Sequence, residues 1–318
     1  MRTATLTPFA EDVLDGLSAF TKRISSRWFY DETGDKLFQK IMELPEYYLT
    51  RAEYEILERY AGEIVNQFPV DELIQLVELG AGDGLKTRLI LKALLKANRK
   101  FRYVPIDISL NALQNLRESL TSEFLGIEIL ALQTDYFSAL KSEALTNSGN
   151  KLVLFLGSNV GNLSESDAPL FFGQLSASLK AGDSVITGFD RVKEEDVILA
   201  AYNDRSGVTK AFNLNLLTRI NRELDGNFQL EDWAHKPAYD PIRKAATSSL
   251  VSLVDQEVRI EMLDSTFSFN AGEQINTEIS RKFAAEDISE LAVNAGFNIR
   301  KNFEVKENWF TDSWWSKE

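Results

Sequence analysis

The chain has 318 residues, of which 44% are hydrophobic and 26% charged, a composition typical of globular proteins with one large or two ordinary domains. Its formal net charge of -13 argues against nucleic acid as a partner, because phosphate recognition needs clustered lysine and arginine. The absence of cysteine and the presence of a single histidine, His235, exclude disulfides, thiol catalysis and metal sites built from cysteine or several histidines.

The first strong pattern is a strand, a glycine-rich turn and a helix. The apolar run Leu76–Leu79 passes into Gly-Ala-Gly-Asp-Gly at residues 80–84, and from Thr87 to Lys96 apolar residues recur at helical spacing. Gly80 and Gly82 allow the backbone to approach a ligand closely, and the following helix N-terminus offers N–H groups. The pattern predicts the opening of a nucleotide-type α/β domain.

The ligand of this turn is indicated by the acids around it. The turn does not follow the G-x-G-x-x-G pattern of dinucleotide enzymes. Glu78 lies two residues before Gly80, and a second predicted strand, Tyr103–Asp107, ends in a carboxylate. This arrangement resembles the class I S-adenosylmethionine methyltransferases, with a dinucleotide enzyme and an ordinary tight turn as the alternatives.

The alternation of strands and helices continues beyond this motif. Further strands are predicted at Ile127–Leu132, Leu152–Leu156 and Ser184–Asp190. Ligands of such sheets bind beyond the carboxyl ends of the strands. Polar residues at or just beyond the ends of five predicted strands are therefore expected to line one crevice: Glu78, Asp107, Asp135, Asn162 and Asp190.

From about residue 191 the regular alternation stops. The later patterns are a helical stretch at 196–222, alternating apolar stretches at 250–254, 258–262 and 265–269, a helix at 288–297 with a glycine stop, and terminal strands within 298–315. We expect an α/β fold with a Rossmann-like class I methyltransferase core, residues 52–190 plus 283–318. A second α+β lobe, residues 1–51 plus 191–282, is expected to bind the substrate.

Motifs outside the glycine turn make the resemblance more specific. They lie along nearly the whole chain, at Trp28–Asp31, Leu44–Arg51, Glu78–Gly82, Pro105–Asp107, Phe155–Asn162, Ala201–Asp204, Phe212–Asn215, Asn221–Leu224 and Thr277–Phe283. With these motifs the chain resembles the histidine-specific Nα-methyltransferases of ergothioneine biosynthesis. The resemblance implies that S-adenosylmethionine is the cofactor and that the α-amine of L-histidine is trimethylated to hercynine.

The resemblance also implies a cofactor site. Asp107 is expected to bind the ribose hydroxyls, and Asp135 and Tyr136 the adenine. Together with the residues of the glycine turn, the expected cofactor-binding set is Glu78, Gly80, Gly82, Lys86, Asp107, Asp135 and Tyr136.

The substrate site follows from the same resemblance. Asn162 is expected to bind the α-amine, Tyr202 the carboxylate, and Tyr47 the backbone groups of the amino acid. Tyr30 is expected near the amine, so that Tyr30 and Asn162 form the catalytic pair. Neutral partners disfavour the ammonium form, and methyl transfer needs positioning more than a strong base. Glu278 and Ser280 are expected to face the imidazole.

One position departs from the family pattern. Well-known histidine-specific members carry a methionine against the substrate ring, where this chain has Ser248. Ser248 is expected to line a roomier or more polar pocket, which leaves an Nα-methyltransferase for another aromatic amino acid, such as tryptophan, as an alternative. A non-catalytic amino-acid-binding relative is the third hypothesis. His235 is expected to be structural.

The remaining expectations concern partners and location. No apolar run is long enough to span a membrane, and no signal-peptide pattern is present, so we expect a cytoplasmic protein without a membrane partner. We expect a small-molecule substrate, no nucleic acid, no bound metal and a monomeric chain.

Overall fold

The computed structural model describes residues 6–143, 150–305 and 307–318. The chain divides into two compact units. The core unit comprises Tyr48–Lys193 and Arg281–Glu318, and the second unit comprises Met1–Tyr47 and Glu194–Ser280. The sequence predicted boundaries after residues 51, 190 and 282, and the functions assigned to the two lobes stay predictions.

The helices and strands are numbered along the described part of the chain. The helices are α1 (Pro8–Ser18), α2 (Glu32–Met42), α3 (Tyr48–Asn66), α4 (Thr87–Lys96), α5 (Leu110–Glu123), α6 (Tyr136–Ala139), α7 (Asp167–Ser178), α8 (Glu195–Tyr202), α9 (Val208–Leu224) and α10 (Ala285–Asn294). The strands are β1 (Ile74–Leu79), β2 (Phe101–Asp107), β3 (Leu132–Gln133), β4 (Asn150–Phe155), β5 (Ser184–Asp190), β6 (Trp233–Asp240), β7 (Ala245–Ser252), β8 (Gln256–Ile260), β9 (Ser265–Phe269), β10 (Gln274–Arg281), β11 (Asn298–Glu304) and β12 (Phe310–Ser316).

The core unit contains a seven-stranded sheet in the order β11-β12-β5-β4-β1-β2-β3. Strands β1 to β5 pair in parallel, whereas β12 runs antiparallel to both β5 and β11. β1 and β5 are buried along their whole length, as expected of central strands covered on both faces. The chain order reverses between β1 and β4, which is where a doubly wound sheet forms its ligand crevice.

Two predicted elements have the same bounds in the structure. α4 occupies the predicted range Thr87–Lys96, and β5 the predicted range Ser184–Asp190. Both segments carry an unambiguous apolar pattern.

The third predicted strand was too long. Of the range 127–132, only its last residue lies in β3, and Ile129 forms an isolated bridge with Tyr103. β3 is an edge strand with one neighbour, and Leu130 is 47% exposed, so little burial favours a longer extended segment.

The predicted helical stretch 196–222 is two helices. Asp204 separates the two helices, because its carboxylate caps α9. It accepts hydrogen bonds from the N–H groups of Val208 (2.9 Å) and Thr209 (2.7 Å) at the start of that helix. Gly207 has a φ of 76°, which favours glycine and turns the chain before the new helix.

The second unit has a sheet of its own. β10, β7 and β6 form a three-stranded sheet in that order, and β8 and β9 form an antiparallel pair. The sequence did not predict β6, which contains Pro237. Proline is tolerated there because β6 is an edge strand that pairs only with β7.

Each unit has its own hydrophobic core. In the core unit, the apolar residues of the parallel sheet pack with α7 and α10. In the second unit, α1 and α9 pack with the apolar residues of the smaller sheets. In the described ranges, no helix is both long and apolar enough to cross a bilayer.

Candidate functional site

The glycine turn after β1 is shaped by close contacts. Gly80 has a φ of 76°, and its N–H donates to the Ile106 carbonyl at 2.8 Å. A Cβ at this position would lie 2.7 Å from the Asn159 amide nitrogen and 2.8 Å from the Tyr136 hydroxyl. A Cβ at Gly82 would meet nothing within 4 Å. The turn therefore leaves open space at Gly82.

Asp107 lies at the carboxyl end of β2, beside this turn. Its Oδ2 accepts the Gly82 N–H and its Oδ1 accepts the Ser109 N–H, each at 2.9 Å. The side chain is half-buried. A carboxylate at this position is a suitable acceptor for ligand hydroxyls.

Asp135 and Tyr136 follow β3. Asp135 is exposed and caps α6, where its Oδ1 accepts the Ser138 N–H at 2.9 Å. Tyr136 packs edge-on against Phe155, with ring centroids 5.1 Å apart, and its hydroxyl lies over Gly80. Burial raises the pKa of Tyr136, so this group is a neutral hydroxyl next to the turn.

Glu78 lies beneath the turn. It is buried, and its two carboxylate oxygens accept hydrogen bonds from the hydroxyls of Thr87 and Tyr103. Burial raises the pKa of Glu78 to about 7. These contacts tie β1 to β2 and α4, and the role of Glu78 as a cofactor ligand stays a prediction.

Lys86 immediately precedes α4 and forms an ion pair with the buried Glu53 of α3. Its ammonium lies 3.2 Å from the position that a Cβ would take at Gly157, in the turn after β4. Burial lowers the pKa of Lys86, but the neighbouring acids, Glu53 above all, more than offset this effect, so the pKa is raised.

Asn162 belongs to the 3-10 helix Asn159–Asn162 after β4 and is half-buried. The backbone here is tightly held. Ser158 has a φ of 56°, and its hydroxyl accepts the Asp190 N–H at 3.1 Å. A Cβ at Gly161 would lie 2.9 Å from the Arg281 carbonyl oxygen. The position of Asn162 is therefore set by backbone contacts within the core unit.

Asp190, the last of the five acids or amides expected at the crevice, is bound by its own chain. Its carboxylate accepts the Tyr48 hydroxyl at 2.8 Å, and it pairs with Lys282 at 2.8 Å and with Lys193. Burial lowers the pKa of Lys193 to about 8. The position of Asp190 at a strand end thus serves a buried ion cluster.

Tyr30 and Tyr47 share an aromatic neighbour in the second unit. Their rings lie edge-on to Phe38, with centroids 5.6 Å and 6.3 Å away. Tyr30 also contacts Phe212 of α9 at 5.8 Å. Both tyrosines are half-buried, so each presents part of its side chain at the surface of this aromatic cluster.

Glu278 and Ser280 project from the same side of β10, because residues two apart share a face of a strand. On the neighbouring β7, Ser248 is buried and its hydroxyl donates to Glu278 Oε2 at 3.3 Å. His235 Nε2 lies 3.2 Å from the Ser248 hydroxyl oxygen. Burial lowers the pKa of His235 to about 4, so the ring is neutral at neutral pH and its Nε2–H can donate to Ser248.

Asn213 of α9 connects the strands beside Glu278. The Thr277 hydroxyl lies 2.9 Å from Asn213 Oδ1 and 3.0 Å from the Ser248 carbonyl oxygen. Asn213 is fully buried, as is expected of a side chain that fixes an internal hydrogen-bond network. Asn213 lies in the motif Phe212–Asn215, but the motif predicted no role for it.

Residues of three motifs are hydrogen-bonded to one another in the second unit. Asp31 accepts hydrogen bonds from Asn215 at 2.8 Å and Arg222 at 2.6 Å, and it caps α2 through the Gly34 N–H at 2.7 Å. These ties hold the segment that carries Tyr30. Tyr202, the last residue of α8, is buried.

The structure thus groups the predicted site residues within each unit. Gly80, Gly82, Asp107 and Tyr136 converge in the core unit, and Ser248 and Glu278 are hydrogen-bonded in the second unit. Sequence reasoning missed Asn159, although it lies in the same motif as Asn162. It also missed Glu53, one of four glutamates in helix α3, because nothing in the sequence distinguishes it from the other three.

The sheet order, the antiparallel β12 and the glycine turn with Asp107 on the next strand define a class I methyltransferase. The profile of the family described as histidine-specific, SAM-dependent methyltransferases matches residues 9–317. The chain belongs to this family, and it is therefore an S-adenosylmethionine-dependent enzyme.

Individual relatives agree with this assignment. The chain is 36% identical to "Histidine N-alpha-methyltransferase" of Mycolicibacterium smegmatis, over 95% of this chain and 90% of that protein. It is also 36% identical to the protein of the same name from Mycobacterium tuberculosis, with the same coverage. "Ergothioneine biosynthesis protein 1" of Schizosaccharomyces pombe is 26% identical over 89% of this chain and 37% of its own length.

Proposed function

We propose that this enzyme transfers methyl groups from S-adenosylmethionine to the α-amine of L-histidine, as far as the trimethylated product. Two relatives that are 36% identical over 95% of this chain carry the name of that activity, which supports the proposal. The observation that carries it at the level of residues is Glu278, a half-buried carboxylate held beside Ser248 on the face of β10.

The residues of the core unit fit the cofactor. The open space at Gly82 and the half-buried Asp107 carboxylate suit a ligand with hydroxyl groups close to the backbone. We propose that Asp107 binds the ribose hydroxyls, that Tyr136 and Asp135 bind the adenine, and that Gly80 and Lys86 line the same site. When bound, S-adenosylmethionine supplies an electrophilic methyl group on a sulfonium.

The second unit supplies the groups that recognise the amino acid. In the proposal, Glu278 accepts an imidazole N–H, with Ser280 on the same strand face. A site that pairs a half-buried carboxylate with a substrate N–H disfavours analogues that lack this N–H, because the carboxylate then loses a hydrogen bond. Tyr202 and Tyr47 bind the carboxylate and the backbone groups of the amino acid.

The amine partners are neutral in this proposal. Asn162 and Tyr30 bind the α-amine without supplying a carboxylate, which disfavours the ammonium form. Their task is to orient the lone pair through successive transfers, since positioning supplies most of the acceleration in such displacements.

The test is turnover with a panel of amino acids that includes histidine, tryptophan and tyrosine, read as product masses. We expect methylated histidine as the main product. In Glu278→Gln, kcat/KM for histidine should fall about 100-fold, because the charged acceptor for the imidazole is lost. Glu257→Gln, on the exposed part of β8, is the matched control. Unchanged histidine preference in Glu278→Gln would contradict the proposed role of Glu278.

We further propose that the enzyme is a cytoplasmic monomer. A chain of 318 residues without cysteine suits a reducing compartment. Analytical ultracentrifugation of the purified protein and fractionation of the source cells test the two statements separately.

A further inference from the structure

Glu53 is a buried acid to which the proposed chemistry gives no role. It lies on α3, and its side chain is 0% exposed. A buried carboxylate is unfavourable unless charge and hydrogen bonds compensate for the loss of water. Its partners therefore indicate what it does.

Those partners belong to two different turns. The Gly157 N–H, after β4, donates to both carboxylate oxygens, at 2.8 and 2.9 Å. Lys86, after β1, forms an ion pair with Oε2. β1 and β4 are adjacent in the sheet at the point where the strand order reverses. One carboxylate thus fixes both turns that flank the expected cofactor crevice.

The space for this carboxylate is provided by Gly188 of β5. A Cβ at Gly188 would collide with Glu53 Oε1 and would lie 3.0 Å from the Phe310 ring. Because Gly188 has no side chain, the central sheet leaves room for the Glu53 carboxylate at this position.

Asp312 completes the cluster. It pairs with Gly188 across β12 and β5, it is fully buried, and as a carboxylate it has no hydrogen-bond donor in the described part of the chain. Burial and the neighbouring Glu53 raise the pKa of Asp312 well above its usual range. A protonated Asp312 adds no second negative charge beside Glu53.

We propose that Glu53 is a positioning residue of the cofactor site, which holds the Lys86 ammonium and the Gly157 turn in the arrangement that binds S-adenosylmethionine. The inference rests on the proposed assignment of Lys86 to that site. Glu53 acts through Lys86 and through the Gly157 backbone.

The test is a double-mutant cycle on the full chain, with the dissociation constant of S-adenosylhomocysteine measured by calorimetry. Glu53→Gln keeps the shape of the side chain but removes the charge, and we expect about tenfold weaker binding because Lys86 loses its partner. In the Lys86→Met background the same change should add less than about twofold, since residues that act through each other are not additive. KM for histidine should stay within about twofold, whereas KM for S-adenosylmethionine should rise with the dissociation constant.

Glu63→Gln is the matched control, because Glu63 lies on the same helix in an exposed ion pair with Lys301. If Glu53→Gln does not fold, Glu53→Asp keeps the charge and shortens the reach, and about threefold weaker binding is expected. Unchanged binding in a folded Glu53 variant, or additive effects in the cycle, would overturn the inference. Unchanged binding in Lys86→Met would show that Lys86 does not bind the cofactor, and this result would overturn the inference as well. The dissociation constants of S-adenosylhomocysteine do not require histidine to be the substrate, so they test the inference separately from the proposed function.

Discussion

Ser248, which the resemblance predicts to replace a methionine of the family, contacts Glu278. The hydroxyl of Ser248 lies between Glu278 Oε2 (3.3 Å) and His235 Nε2 (3.2 Å). Since the Ser248 hydroxyl donates its only proton to Glu278, its oxygen accepts from His235, in the tautomer with the proton on Nε2. A smaller, polar residue at this position thus orients the carboxylate that is proposed to recognise the imidazole.

Replacing Ser248 by alanine should therefore weaken recognition of histidine. We expect kcat/KM for histidine to fall about fivefold, the loss of roughly one hydrogen bond, with a smaller change for tryptophan. Steady-state kinetics with both amino acids measure the difference. Ser268→Ala, an exposed serine on β9 in the same unit, is the control. An equal loss for both amino acids would show that Ser248 serves the fold and not the side-chain preference.

At the scale of elements, the turn between β1 and α4 combines two glycines with different surroundings. Both have a positive φ, 76° at Gly80 and 53° at Gly82. Only at Gly80 would a Cβ meet the Asn159 amide and the Tyr136 hydroxyl, whereas at Gly82 it would enter open space. Gly82 is therefore required for its backbone conformation alone, whereas Gly80 is required both for its conformation and because a side chain there would collide.

Alanine substitutions at the two positions should differ in kind. Gly82→Ala should lower the free energy of unfolding by about 1 kcal/mol through backbone strain, and Gly80→Ala by about 2–3 kcal/mol because two side chains must also move. Gly82→Ala should nevertheless weaken S-adenosylhomocysteine binding, because its methyl group enters the space proposed for the cofactor. Urea unfolding and calorimetry provide the two measurements. Equal losses of stability would contradict this account of the turn.

Helix α3 offers a prediction of the opposite sign. Gly62 lies within this helix, and a Cβ there would meet nothing within 4 Å. Gly62→Ala should raise the free energy of unfolding by about 0.5–1 kcal/mol, because alanine restricts the unfolded chain and favours the helix. Urea unfolding checks the sign, and a decrease would show that an unseen contact needs the glycine.

The elements also show how far sequence reasoning extends. α4 and β5 were predicted to the residue, because a helical apolar stripe and a buried apolar run are local signals. The break between α8 and α9 depends on the capping contacts of Asp204, and β6 on pairing with β7. These depend on distant or specific partners, so the hydrophobic pattern does not show them.

The same limit applies to the candidate site. The resemblance named Gly80, Asp107 and Glu278 from their motifs. It did not show that Glu53 joins two turns, or that His235 lies within hydrogen-bond distance of Ser248. Those contacts join residues that are far apart in the sequence, and no periodicity records them.

For the whole molecule, buried titratable groups predict how stability depends on pH. The pKa of Glu78 is raised by burial to about 7, so its contribution to stability is fully present below its ordinary value of 4.5. That contribution is lost as pH rises through about 7. The contribution of His235 to stability changes with pH in the opposite direction, because burial lowers its pKa from 6.5 to about 4. Its contribution is present above 6.5 and is lost as pH falls through about 4.

The Glu78→Gln variant isolates the first effect. Relative to the wild type, its free energy of unfolding should increase between pH 4.5 and pH 7 by up to about 3 kcal/mol and then level off. Any lost hydrogen bond adds a constant offset and leaves the slope intact. Urea unfolding across this range measures the difference, and a flat difference would show that Glu78 is ionised in the folded protein throughout.

The α-nitrogen of histidine is the proposed acceptor of the methyl groups. The most direct measurement uses S-adenosylmethionine with a deuterated methyl group, purified enzyme and histidine, and locates the label in the product by tandem mass spectrometry. We expect three labelled methyl groups, all on the α-nitrogen of histidine. Label on an imidazole nitrogen, or label in another amino acid of a competing mixture with none in histidine, would contradict the proposal.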